Sequence, residues 1–234
     1  MQSKPFETIA DNELPLFPLN VVLFPGALLP LHIFENRYRQ MTQFCIDHKR
    51  PFGVVLIKSG REVGEAAMPH RVGTTAKIID ATRLEDGRMN LITIGQHRFE
   101  IAETRQDLSF LVGRVRIVDR TEGPSGLDRL AQKARESYRA YETSLAKLFP
   151  QWEAVSQIPI DAQQLAYQIG TRLQAPLIEK QRLLETYSIE ELLVQEIELL
   201  EVENEKLRAT LVAQHTLENQ HVDRAKLREK TPLN

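Results

Sequence analysis

Residues 14–34 read LPLFPLNVVLFPGALLPLHIF, and the rest of the chain is read outward from them. The stretch is nearly all apolar and long enough to raise the question of a membrane span. Pro15, Pro18, Pro25 and Pro30 decide against one. Each lacks a backbone N–H and clashes with the preceding helical turn, so a continuous helix would be broken repeatedly. A proline also drives the residue before it toward extended backbone. The pattern predicts a short strand over 16–17, a turn at Pro18-Leu19-Asn20, a strand over 21–24, a turn at Pro25-Gly26 and a strand over 29–33. Pro-Gly supplies a preset φ followed by a residue that tolerates positive φ, which a tight turn requires. The segment therefore reads as buried sheet, with a charged helix start at Glu35, Asn36 and Arg37 directly after it.

Beyond it, Tyr38, Met41 and Cys45 recur at three and four, the period of an amphipathic helix over about 35–48. Pro51 closes that helix, and PFGVVLIKSG (51–60) reads as a buried strand. Residues 61–71 show no period and are expected to be an exposed loop, while 72–81 are β-branched enough for a strand. At Glu85-Asp86-Gly87 an Asp-Gly pair between two β-rich runs marks a hairpin, with the glycine in a primed turn or a bulge. Gly95 is expected to break or bulge the strand that follows, before HRFEI, and 111–118 read as a half-exposed last strand. About six strands result, enough to close a small barrel-like sheet and hide its edges.

Gly123, Pro124 and Gly126 interrupt regular structure at 121–126, and the period then changes. Leu127, Leu130, Ala134, Tyr138, Tyr141, Leu145 and Leu148 step by three and four through Phe149, with Ser125 and Asp128 in a capping pattern. Asp161 with Gln164 repeats that pattern before Leu165, Pro176 opens a short helix, and Ser188 with Glu191 caps the last and longest one. In this last helix Leu193, Ile197, Leu200, Asn204, Leu207 and Leu211 form a heptad seam in which Asn204 is the polar residue that can fix register. Two readings follow: the helix packs on its own bundle for two or three turns and then projects, or it self-pairs as a coiled coil. The residues from 215 to 234 are polar and expected to fray.

The opening block LPLFPLNVVLFPGALLPLHIFENRYRQM (14–41) resembles the start of the Lon protease N-terminal domain. FGVVLI with Gly60, VGTTAKI (72–78), LEDGRMNLITIGQHRFEI (84–101) and EKQRLLET (179–186) are similar to later blocks of that family, in the same order. The resemblance covers roughly residues 12–210. It implies an α+β protein with a PUA-like β subdomain over 12–120 and a helical subdomain over 121–214. It also implies a module that recognises polypeptides, unfolded ones included, with a full-length Lon-type protease as a candidate partner.

The chemistry in the sequence is consistent with a non-catalytic role. No GxxxxGK[ST] occurs, so neither the family's ATPase module nor its Ser–Lys protease module is expected in these residues. The six histidines show no HExxH or CxxC context for zinc, and GxSxG is absent. Glu85 and Asp86 are adjacent acids, but a hairpin tip leaves both in water. No catalytic residue, cofactor site or metal site is therefore expected. A net charge of −2 argues against nucleic acid as a partner. The single cysteine, Cys45, cannot form an intramolecular disulfide and reads as a small buried hydrophobe rather than a nucleophile. The first residues, MQSKPFETIADNE, lack a secretory apolar core, and a cytoplasmic location with no membrane contact is expected.

Four polar or aromatic residues are candidates for peptide contact or for joining the subdomains: His32, Arg37, Tyr38 and Arg98. His32 sits in an apolar strand, where a satisfied core or interface histidine competes with a ligand contact. Arg98 follows Gly95 and either satisfies carbonyls or a carboxylate between subdomains, or anchors a bound peptide backbone. The alternatives to polypeptide recognition are a structural protein that homodimerises through the seam from Leu193 to Leu211, and small-molecule or RNA binding on the PUA-like sheet by fold analogy.

Overall fold

Pro15 and Pro18 both lie inside one strand, β1 (Glu13–Leu19), and its pairing explains how. The computed structural model describes residues 9–61, 67–118 and 127–229. Glu13 to Leu16 pair antiparallel with β7 (Leu111–Ile117), and Leu16 to Leu19 pair in parallel with β3 (Phe52–Ser59). Each proline thus stands in a half of β1 with a partner on one side only, so its missing N–H breaks no ladder on the other. β1 is longer than the two residues predicted, and the turn expected at Pro18 begins at Asn20 instead.

β5 (Val72–Arg83) and β6 (Met89–Arg105) complete a ring in the order β1-β7-β6-β5-β3, which the β1–β3 pairing closes. Closure removes strand edges, as expected for a barrel-like sheet. β2 (Leu28–Ile33) pairs with the Met89–Ile94 part of β6, outside the ring. The two-residue β4 (Met68–Pro69) pairs with the end of β3. Seven strands are therefore described, against about six expected. β4 lies in the predicted 61–71 loop, of which 62–66 fall outside the described residues.

Residues 21–24 form no strand, contrary to expectation, although Val22, Leu23 and Phe24 are buried. Side-chain and turn bonds replace a ladder there: Thr74 Oγ1 donates to the Leu23 carbonyl (2.6 Å), and the Gly26 amide donates to the Gly95 carbonyl (2.8 Å). Gly95 permits this approach, since a Cβ on it would stand 2.4 Å from the Phe24 carbonyl oxygen. The bulge expected at Gly95 is present: Ala76 pairs with Gly95 and Thr74 with Arg98, so one β5 residue faces two on β6. The Asp-Gly hairpin is also present, with Gly87 at φ +78° and the Leu84 amide donating to the Arg88 carbonyl. This is the three-residue loop with a glycine bulge, the second of the two turn types expected.

The chain divides into two compact units that are not contiguous in sequence, Met1–Pro124 with Ala166–Leu192, and Ser125–Leu165 with Leu193–Asn234. The stretch that carries α4 (Leu177–Glu185) thus belongs to the same unit as the strands, although it follows the second unit's first segment in sequence. In the first unit β1 is buried on both faces. Leu14 and Leu16 join Val55, Phe99 and Ile101, while Phe17 and Leu19 join Tyr38, Met41 and Cys45 of α1 (Asn36–Asp47). Burial of each such side chain contributes about 1.5–3 kcal/mol. Cys45 is a small core hydrophobe, and burial pushes its thiol up to about 12.

In the second unit α2 (Asp128–Leu148) buries Ala131, Ala134, Tyr138, Tyr141 and Leu145 along one stripe. Its predicted cap, Ser125, and the break at 121–126 lie outside the described residues. α3 (Ala162–Arg172) starts at the predicted cap, with the Gln164 amide donating to Asp161 Oδ1 (2.8 Å). α5 (Ile189–Glu229) runs past residue 215, where fraying was expected, and stays helical to Glu229. Its Glu, Leu, Lys, Arg and Ala content favours helix.

Candidate functional site

β2 has the alternation that an edge strand requires. Leu29, Leu31 and Ile33 turn inward to the α1 core, and Leu28, Pro30 and His32 turn out. Pro30 has no N–H to give, and in a strand with a single partner that loss costs no ladder bond. Among the described residues β2 pairs with β6 alone, so its second edge presents unpaired backbone groups.

The register places Leu28 opposite Ile94, Pro30 opposite Ile92 and His32 opposite Asn90. On β6, Leu91 and Thr93 are buried while Ile92 is exposed and Ile94 half-buried. The outer face of the β2–β6 pair is therefore an apolar stripe. Leu28 is 63% exposed, Ile92 37%, and Phe34, just beyond the strand, 50%. Large side chains left together in water beside a free strand edge suit the capture of an extended chain.

His32 lies on this face. Its Nδ1 is 2.7 Å from Asn90 Oδ1, which makes Nδ1 the protonated nitrogen, and Arg88 Nη1 donates to Nε2 at 3.4 Å. The ring stacks beside Phe34, centroids 6.2 Å apart. Of the readings open for His32, exposure removes that of a core residue: the strand is apolar on both faces, but only one face is covered. Arg88 is in turn paired with Asp86 (2.6 Å), and the Arg88 amide and guanidinium hold that carboxyl below its usual range.

The other three candidates lie elsewhere. Tyr38 is buried against Phe17, ring centroids 4.1 Å apart. Arg37 pairs with Glu35 (3.0 Å) and lies over the Tyr38 ring, orienting the start of α1. Arg98 is 2% exposed, and its Nη1 donates to the carbonyls of Leu184 (2.6 Å) and Thr186 (3.0 Å). Its guanidinium therefore caps the C-terminus of α4, where a cation also complements the helix dipole. Nearby, Gln181 Nε2 donates to the Val72 carbonyl (3.0 Å), a second tie between α4 and the sheet. In the second unit the seam residues Leu193, Ile197, Leu200 and Asn204 are buried within one chain, and Asn204 Nδ2 donates to the Ser137 carbonyl (2.9 Å). Leu207 and Leu211 are half-buried.

Leu28, Pro30, Phe34 and Ile92 were not among the sequence candidates. Their signal was present: a proline inside a strand demotes it to an edge. Among the described residues no group of three or more His, Cys, Asp or Glu is placed to hold a metal, and no helix is long and apolar enough to cross a membrane.

The family model described as the ATP-dependent protease La (LON) substrate-binding domain matches residues 13–202. The class defined by the closed ring, its added edge strand and the trailing helices is thus that of Lon-type substrate-binding domains, and the chain belongs to this family. The Lon protease of Cytophaga hutchinsonii is 27% identical over 206 residues, which is 82% of this chain and 25% of that protein. The Lon protease of Anaeromyxobacter dehalogenans is 26% identical over 83% of this chain and 24% of its own length. The chain thus spans about a quarter of the length of these curated relatives. The crystal structure of a Lon N-terminal domain protein from Xanthomonas campestris is similar with a TM-score of 0.57 at 27% identity, covering 78% of this chain and 95% of that one. The N-terminal domain of a Mycobacterium avium complex Lon protease shares the fold with a TM-score of 0.62 at 18% identity, covering 81% of this chain and 98% of its own.

Proposed function

We propose that the first unit is a polypeptide-recognition module that takes up extended, unfolded segments along β2. The observation that carries this reading is the apolar face of Leu28, Pro30, Ile92 and Phe34 beside an unpaired strand edge. An incoming segment hydrogen-bonds to the free edge through its main chain and lays alternate side chains on that face, so the affinity depends little on sequence. Folded proteins keep most of their main chain paired and most large apolar side chains buried, and are passed over. Membership of a family described as substrate-binding supports the reading, and a Lon-type protease is the partner class it implies. Self-pairing through α5 has less surface to use, since four of its six seam positions are buried inside one chain.

Hydrogen exchange tests the placement. Adding a reduced, carboxymethylated polypeptide is expected to slow exchange of the Leu28 and His32 amides. Protection confined to other strands would remove β2 as the site.

A further inference from the structure

β5 has a free edge of its own, on the other side of the same three-stranded region. β3 pairs with it only from Phe52 opposite Ala76 to Val54 opposite Thr74. From Lys77 to Arg83, β5 pairs with β6 on one side and with nothing on the other among the described residues. Alongside that edge lies the C-terminal turn of α1, and the two enclose a groove of about 650 Å³. Ile46 and Ile79 are its exposed apolar side chains, and Pro51 marks the end from which β3 departs.

The charges in the groove are uneven. Lys49, Arg50 and Lys77 line it, with Asp80 as the single carboxylate. Arg50 is engaged elsewhere, donating to the carbonyls of Ile9, Ala10 and Glu13. The ammonium groups of Lys49 and Lys77 make no hydrogen bond or ion pair among the described residues. Lys49 also stands out in its backbone, at φ +52°. It occupies the position after the α1 cap, where its amide donates to Ile46 and the Arg50 amide donates back to Cys45. Glycine is the default residue in that motif, because a Cβ is strained there. A long cation is kept where glycine would fold more easily, and strain of this kind clusters at functional positions.

We propose that this groove binds an extended acidic peptide segment, which adds to β5 as an antiparallel strand in line with β3. Its carboxylates meet Lys49 and Lys77, and an apolar side chain between them rests on Ile46 and Ile79. The unpaired strand edge and the two isoleucines favour a peptide over a bare phosphate group. The site is separate from the β2 face and stands whether or not β2 takes up unfolded chains.

The test uses the full chain and a fluorescein-labelled peptide Asp-Val-Glu-Val-Asp, compared with Asn-Val-Gln-Val-Asn. The acidic peptide is expected to bind more tightly. The Lys49→Gly, Lys77→Gln double variant is expected to weaken it about fivefold or more, while melting no lower than wild type, because glycine relieves the strain. Leu28→Asp is expected to leave the difference in affinity between the two peptides unchanged. Equal affinity for the two peptides, full retention by the double variant, or loss of the acidic preference on Leu28→Asp would each overturn the proposal.

Discussion

Gly26 and Gly95 lie at the two ends of one hydrogen-bonded contact, yet the chain needs them for different reasons. Gly26 has φ +82° and nothing within 4 Å of where a Cβ would stand, so its requirement is conformational. Gly95 is a matter of space, because its added Cβ would meet the Phe24 carbonyl, which is backbone and cannot swing away. Gly26→Ala is expected to cost about 1 kcal/mol, and Gly95→Ala about 2–3 kcal/mol with a shift of the 21–24 segment. Equal shifts of the urea midpoint would contradict this division. Arg98 poses a further question at this scale, since its charge alone does not explain its place. One nitrogen serves two carbonyls at the end of α4 from a buried position, and lysine lacks the planar fork that holds that geometry. Arg98→Lys is expected to destabilise by about 2–3 kcal/mol. A variant that melts with wild type would mean that the cap is replaceable.

At the scale of elements, the long helix α5 changes character along its length. Leu200 is fully buried, whereas Leu207, one heptad on, is half-buried. Leu200→Asp places an unpaired carboxylate in the core of the second unit and is expected to unfold it, while Leu207→Asp is expected to cost under about 1 kcal/mol. Circular dichroism melts distinguish the two; equal effects would show that the seam serves something other than packing within one chain. The sequence revealed most of these elements because periodicity and caps are local: α1, α3, the Asp-Gly hairpin and the Gly95 bulge are where spacing and turn chemistry put them. It misplaced 21–24 because buried, apolar backbone was equated with strand, and there Thr74 and Gly95 supply the bonds that a ladder would have given. The candidate site was less legible for a similar reason. LLPLHI is apolar throughout, so hydrophobicity alone could not say that Leu29, Leu31 and Ile33 are covered while Leu28, Pro30 and His32 are not. Only the pairing of β2 with a single neighbour decides it.

For the whole molecule, a closed ring of strands hides most edges and, among the described residues, leaves the outer edges of β2 and of the second half of β5 without a partner, one on either side of β6. Exposed apolar strand edges are an aggregation hazard, and a fold that keeps one gains by using it. The central claim is that β2 and its apolar face hold unfolded polypeptide. Fluorescence anisotropy of a labelled, permanently unfolded polypeptide tests it most directly, with the same polypeptide natively folded as control and the Leu28→Asp, Phe34→Ser double variant beside wild type. Wild type is expected to bind the unfolded form alone. The variant, having lost about 1 kcal/mol at each position, is expected to bind roughly thirtyfold more weakly. Equal binding of the unfolded form by wild type and variant, or equal binding of folded and unfolded forms by wild type, would contradict the claim.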